Sequence, residues 1–505
     1  MASEAAESSR AREEAAEREA SEAVARQPQR SWVALASIPF VDVVYGANDA
    51  RAEAIAPGAA DLLLELHDPP RASYLVLRLL PERLAPDSRW REPNIFAHII
   101  AAAPDRLLFM ASQIATQGPG VLDLDYFLFD VSDGTAARLP AVPADFPTMI
   151  SPGRSIGLIA DPRRPGHYML AQLHPAAGPA IRRHDALLCY STATGQWSVK
   201  QLASAPDHEP WGAHGVIAHD GLLWWVDIAY GMLFCDPFDD HPRLRLVPLP
   251  NGCEMHMHGL GNSDRPTVLM DQRRLIRSSQ GMLRYVEIQG LSYDHADVDN
   301  PINPAVSMWT LVDPEGRHPW RFECEASFAD IWAHDSYVAA GLPQGKVPNL
   351  ALVDPNNHNV VYFFQDTALF ALDVRTRRVL ACEECLGDRV FQDPLFQYSR
   401  FIDAWEQVLP PTVRGDSPAS SDGSGESWTK WPPEHFAQLE ELGETTGSDD
   451  FGEVASLICQ LEIRSQPDKE HSLSDLLTML AEEDMAPPAE PSSLEAEAGD
   501  QADEP

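Results

Sequence analysis

Apolar runs of four to eight residues, many closed by a two-residue corner ending in glycine, recur along the middle of this chain and point it to a β fold. The corners are Asp133-Gly134, Pro165-Gly166, Thr194-Gly195, Asp220-Gly221, Gln280-Gly281 and Glu315-Gly316. Runs at 215–219, 222–228, 232–235 and 243–249 make up the clearest unit. It reads as a buried strand, a tight turn, an aromatic-rich strand, a strand ending near Asp, and a more polar strand. Phe129-Asp130, Cys189-Tyr190, Cys235-Asp236, Val312-Asp313 and Leu372-Asp373 mark the third strand of five such units, 46 to 77 residues apart. Runs at 62–67 and 73–80 flank Asp68-Pro69-Pro70-Arg71 and supply a sixth unit; a further run covers 138–143. Four-stranded units of this size are the pattern of propeller blades. The expectation is a mainly β domain over 31–410, a β-propeller of about five to six four-stranded blades, with stacked sandwiches as the alternative.

The flanks differ in texture. Residues 1–30 carry seven Glu and five Arg without an apolar stripe and read as a polar disordered arm. Residues 411–505 hold 23 acidic and 4 basic side chains and read as an acidic disordered tail. Within it Leu473, Leu476, Leu477 and Leu480 fall at helical spacing, which predicts a short amphipathic helix near 472–485 that a partner groove can order.

The formal net charge of -38 argues against a nucleic-acid backbone or an anionic membrane surface as partner. Seven cysteines in 505 residues do not make a disulfide scaffold. No apolar run is long enough for a transmembrane helix, and no signal-peptide core is present, so the expected address is cytoplasm or nucleus.

Several long motifs then agree, in order, with one family. Leu223-Trp224-Trp225-Val226-Asp227, followed by Gly231-Met232-Leu233-Phe234-Cys235-Asp236-Pro237-Phe238, resembles the signature of the domain-of-unknown-function family 1618 of grasses. Trp32 to Pro39, Gly281 to Ile288, Met308 to Asp313, Leu350 to Pro355 and Val360 to Phe364 extend the resemblance over roughly residues 31–405. It implies a plant protein of unassigned activity, with a pattern similar to the kelch-like repeats that follow F-boxes. The thirty or so polar residues before the first strand are too short and too charged for an F-box helix bundle.

Candidate sites are sparse. Cys253, His256 and His258 form a C-x-x-H-x-H cluster, a weak metal candidate because closed zinc sites take four ligands. His241 is a conceivable supplement. Cys382 and Cys385 bracket two glutamates that would raise a thiol pKa, which opposes a redox role. Asp227, Asp236, Asp239 and Asp240 suggest a carboxylate pair for glycosidic cleavage, against the ordinary use of Asp at strand ends. Trp224 and Trp225 must face opposite sides of one strand, as blade-interface packing or as a groove lining. G-x-S-x-G and H-E-x-x-H are absent, and Gly259-Leu260-Gly261 lacks the third glycine of a dinucleotide fingerprint.

No cofactor is expected. The leading reading is a non-enzymatic module that binds a protein partner; a regulator acting through its acidic tail and an enzyme with carboxylates in a central channel are the alternatives.

Overall fold

In a computed structural model the repeated hairpins assemble into a six-bladed β-propeller. The structure describes residues 32–43, 61–79, 96–114, 122–143, 155–175, 184–208, 211–212, 214–255, 267–290, 303–384, 397 and 399–406.

Blade one starts with β1 (Trp32–Ala36) and β2 (Phe40–Val43), which run in the same direction beside one neighbour and act as a single interrupted strand. That neighbour is β4 (Ala72–Leu79), with β3 (Asp61–Glu65) on its far side. Blade two is β5 (Phe96–Ala103), β6 (Arg106–Ile114), β7 (Leu122–Asp130) and β8 (Thr135–Arg138). Blade three is β9 (Ile156–Ala160), β10 (Tyr168–Pro175), β11 (His184–Ser191) and β12 (Gln196–Gln201). Blade four is β13 (Val216–His219), β14 (Leu222–Asp227), β15 (Gly231–Cys235) and β16 (Arg245–Pro248). A helix, α1 (Thr267–Arg273), leads into blade five: β17 (Arg274–Ser279), β18 (Met282–Gln289), β19 (Ala305–Leu311) and β20 (Trp320–Ser327). Two helices of five residues, α2 (Phe328–Trp332) and α3 (Asp335–Ala339), precede blade six: β21 (Asn349–Val353), β22 (Val360–Gln365), β23 (Ala368–Asp373) and β24 (Arg378–Glu384).

The last described strand, β25 (Ile402–Glu406), pairs antiparallel with β1 and completes blade one from the opposite end of the chain. β5, β9, β13, β17, β21 and β25 adjoin one another in turn and form the inner ring. The innermost strand of blade one therefore comes from the end of the domain and its outer strands from the beginning. Sequence reading left 402–406 unassigned, since nothing local marks a pairing partner 370 residues away.

Local chemistry explains the repeat. Asp220 and Gln280 have φ of 50° and 52°, and the glycines after them 73° and 69°, so both hairpins turn with two left-handed residues, a conformation that twists with the flanking strands. The recurrent Asp after the third strand caps the next turn: Asp130 Oδ1 accepts from Ser132 N, Asp236 Oδ1 from Phe238 N and Asp373 Oδ1 from Thr376 N, each at 2.8–2.9 Å. Gly231 is needed because any Cβ there would run into the Val247 carbonyl of β16.

The core is divided into six, one wedge between each pair of blades. Alternation along each strand sends neighbouring residues to different wedges. Trp224 packs between blades four and five and Trp225 between three and four, both buried. That is the packing reading of the pair rather than the groove reading. Indoles also tie blade to blade: Trp197 Nε1 donates to Pro140 O, Trp320 Nε1 to Pro248 O and Trp405 Nε1 to Ala103 O, at 2.7–2.8 Å.

Some expected boundaries move. The run placed at 138–143 is strand only up to Arg138, and β5 was not anticipated, being rich in alanine and lacking a glycine corner. No helix among the described residues is long and apolar enough to cross a membrane.

Candidate functional site

Blade five carries two rows of side chains across all four of its strands. Ile276, Tyr285, Trp309 and Phe322 are direct cross-strand partners on the face toward blade four. One residue along each strand, Arg277, Arg284, Thr310 and Arg321 are likewise partners, on the face toward blade six. The first row is an aromatic ladder, with Tyr285 to Trp309 at 5.5 Å and Trp309 to Phe322 at 5.6 Å between ring centroids. The second is a ladder of three guanidinium groups in a chain whose net charge is -38.

Each row runs from a buried or half-buried residue at the inner ring to an exposed one at the outer strand. Tyr285 is buried, Trp309 half-buried and Phe322 53% exposed. Arg284 is buried and the Arg321 side chain 65% exposed. On the blade-four side the neighbouring outer strand is short, β16 having four residues against eight in β20, which leaves Phe322 uncovered.

Carboxylates compensate the arginines. Arg277 Nη2 donates to Asp403 Oδ1 at 2.9 Å, from blade five to β25. Glu323 serves both Arg284, at 3.3 Å, and Arg321, at 2.8 Å, and accepts from the Thr310 hydroxyl at 2.5 Å. Burial alone would raise the Glu323 carboxyl, but Thr310 and the two arginines hold it below its ordinary range. Burial lowers the Arg284 pKa, Glu323 opposes that shift and Arg321 adds to it. Across the gap, His358 of blade six donates from Nδ1 to Gln280 Oε1 at 2.5 Å. Its pKa is pushed down to about 4, first by burial and then by Arg284, so the imidazole is neutral.

The residues singled out from sequence do not converge on this rim. Cys253 is buried between blades four and five, its thiol pushed up to about 12 by burial and then by Glu287, a poor state for a metal thiolate. His256 and His258 lie outside the described residues, as do Cys385 and Leu473, Leu476, Leu477 and Leu480. Among the described residues no group of three His, Cys, Asp or Glu side chains is placed to hold a metal. Cys382 sits on β24, its thiol raised by burial and then by Glu383 and Glu384.

Asp227 is set apart from Asp236, Asp239 and Asp240, which follow β15 in the connection to β16. Asp227 closes β14 and Asp236 follows β15 at the other end of the same hairpin. Asp227 is consumed by backbone, its Oδ2 accepting from Gly212 N at 2.6 Å and its Oδ1 from Ala229 N at 2.9 Å. Among the described inner strands the carboxylates are Asp403 and Glu406, both on β25. The channel carries no facing carboxylate pair among these residues.

A second polar cluster lies between blades three and four. His184 Nδ1 and His208 Nε2 are 3.0 Å apart, with stacked rings, so one nitrogen donates and the other accepts. Burial, then His208 and His174, push the His184 pKa down to about 3. An unfolded histidine near 6.5 takes up a proton that the folded one refuses. This contribution to stability is therefore whole above about pH 6.5 and is lost as pH falls, on the order of 3 kcal/mol by about pH 4. Thermal melts across that window should show the loss, and His184→Gln should flatten it; an unchanged slope in the variant would remove His184 as the cause.

Residues 225–362 match the family model described as a protein of unknown function, DUF1618. The matched segment contains both rows of blade five, together with Glu323 and His358. No curated protein sequence matches the chain. Among solved structures, similarity extends to the β-propeller domain of Cps50 (Swd1) from Myceliophteria thermophila, at 7% identity over 55% of this chain and 83% of that one, with a TM-score of 0.25. AztD from Citrobacter koseri is similar at 11% identity over 64% and 65% of the two chains, TM-score 0.26. A chain of the mitotic checkpoint complex is similar at 6% identity over 57% and 63%, TM-score 0.28. Likeness at this level says nothing about ligand or activity.

Proposed function

We propose that this chain is a non-catalytic protein-interaction module that docks its partner on the rim of blade five. The observation that carries the reading is the emergence on β20, from its two faces, of an exposed Arg321 and an exposed Phe322, each backed by a continuous row of buried or half-buried side chains. Arginine and aromatic side chains set on rigid supports are the residue types that concentrate binding energy at interfaces. The row behind Phe322 holds its ring without further ordering cost, and the row behind Arg321 favours a partner segment that pairs an apolar side chain with an acidic one. Catalysis finds less support, because the buried acids of the described residues are occupied by backbone or by arginine.

The test is a photo-crosslinking amino acid placed at position 322 of the full chain, with position 138 on β8 as a control of equal exposure class. In extract of the source tissue a discrete adduct is expected at 322 and not at 138, and Arg321→Glu should remove it without shifting the melt by more than about 1 °C. Equal labelling at both positions, or an adduct indifferent to Arg321→Glu, would sink the reading.

A further inference from the structure

Glu323 is held by more donors than a carboxylate oxygen can use. Its Oε1 lies 2.5 Å from Thr310 Oγ1, 2.8 Å from Arg321 Nη2, 3.3 Å from Arg321 Nε and 3.3 Å from Arg284 Nη1. One carboxylate oxygen offers about two lone-pair directions, so four donors on it are poorly shared. The Arg284 side chain, 6% exposed, still has Nε without a hydrogen-bond partner among the described residues. From blade six, Arg375 of the β23–β24 turn bears electrostatically on both His358 and Cys324, and it has no ion pair among the described residues. The other anion bearing on Cys324, Asp373, is already committed to Thr376 N at 2.9 Å. Two guanidinium groups and a hydroxyl therefore converge on one carboxylate in the gap between blades five and six, and a third guanidinium, Arg375, stands near His358 and Cys324 on the blade-six side.

We propose that this gap is a binding site for a phosphorylated side chain of the docking partner, with Glu323 as the internal anion that occupies it until the partner arrives. The inference deepens the docking reading above and rests on it. A phosphoryl group matches the donor set better than a carboxylate does: it presents three oxygens instead of two and close to two charges instead of one. Planar guanidinium groups meet such oxygens two at a time. Arg321 and Arg375 are exposed and give the entrance, while Arg284 and Thr310 are buried and give the floor. Neutral His358 lines the gap without adding a charge.

The sign of one substitution separates this from a purely structural cluster. Calorimetric titration of the full chain with N-acetyl-phosphoserine amide, N-acetyl-serine amide and inorganic phosphate supplies the three arms. The phosphoserine compound should bind at least about tenfold more tightly than the serine compound and than inorganic phosphate. Glu323→Gln should bind phosphoserine about tenfold more tightly again, because the competing anion is gone, and Arg321→Glu should abolish binding. Weaker or unchanged binding by Glu323→Gln overturns the proposal, as does inorganic phosphate equal to phosphoserine, which would make the site one for a free anion. An adduct at position 322 without phosphoserine binding overturns this inference and leaves docking intact. Phosphoserine binding without that adduct leaves the anion site and overturns docking.

Discussion

A chain that stops at residue 396 is expected to lose cooperative folding, while one that stops after Glu406 keeps every described strand and melts as the full chain does. Residues 397–406 close the ring from inside. β25 pairs with β1 over five residues, from Trp32↔Glu406 to Ala36↔Ile402. Arg400 Nε forms a buried ion pair with Asp271 Oδ2 at 2.8 Å, and Ser399 Oγ donates to Asp271 O at 2.6 Å. Arg277 donates to Ser399 O, Asn349 to Gln397 O and Ser37 N to Phe401 O. Ile402 fills the wedge between blades six and one, and Trp405 the wedge between one and two. Taking the strand away opens two of six cores, leaves β5 and β21 without the strand between them in the inner ring, and strips Asp271 and Arg277 of their ion-pair partners. Each large apolar side chain lost is worth about 1.5–3 kcal/mol of burial, and Trp405→Ala alone should cost roughly 3–5 kcal/mol. Circular dichroism melts of the two truncations decide it. A cooperative transition at the full-chain temperature in the shorter one would show that the clasp is dispensable.

Arg274→Met should destabilise the domain by about 3–5 kcal/mol, and adding Glu287→Leu should recover most of that loss. Arg274 and Glu287 are register partners on β17 and β18, 5% and 6% exposed, and their side chains form an ion pair. Removing the guanidinium alone strands a carboxylate in a medium that solvates it poorly. Removing both trades a desolvated pair for apolar contact, which is often neutral. Recovery should be incomplete, because Arg274 Nη1 also donates to Cys253 O at 2.8 Å and Ile228 O at 3.2 Å, and those carbonyls lose a partner. Urea unfolding of the single and double variants gives the numbers. A double variant as unstable as Arg274→Met would assign the role to the carbonyl contacts instead of the ion pair.

The blades were legible in the sequence and the rim was not, for a definite reason. Asp220-Gly221 and Gln280-Gly281 announce their hairpins because positive φ at both positions restricts which residues can stand there. Asp130, Asp236 and Asp373 mark strand ends because each caps its own turn within three residues. These signals are local. The aromatic and arginine rows exist only through register: 277, 284, 310 and 321 have no common spacing, and Arg284 meets Thr310 across a connection of many residues. Glu323 is the residue that a bulge between Met308 and Trp309 leaves unpaired, and it is the one that turns in to the arginines. Counting strand pairs outward from Gln280-Gly281 gives Arg277 with Arg284, and from Glu315-Gly316 gives Thr310 with Arg321. The step from Arg284 to Thr310, between β18 and β19, has no such corner.

The clasp also sets how the domain answers to force. Trp32 and Glu406 are opposite each other at one end of an antiparallel pair, so the points at which the chain enters and leaves the ring are neighbours. Tension applied through those two points would load the β1–β25 hydrogen bonds one after another instead of all together. A ring whose closure contributes heavily to its equilibrium stability would then open at low load, by peeling, from the seam between β1 and β25. Tethered instead by residues on separate blades, the same fold would have to shear several strands at once before yielding.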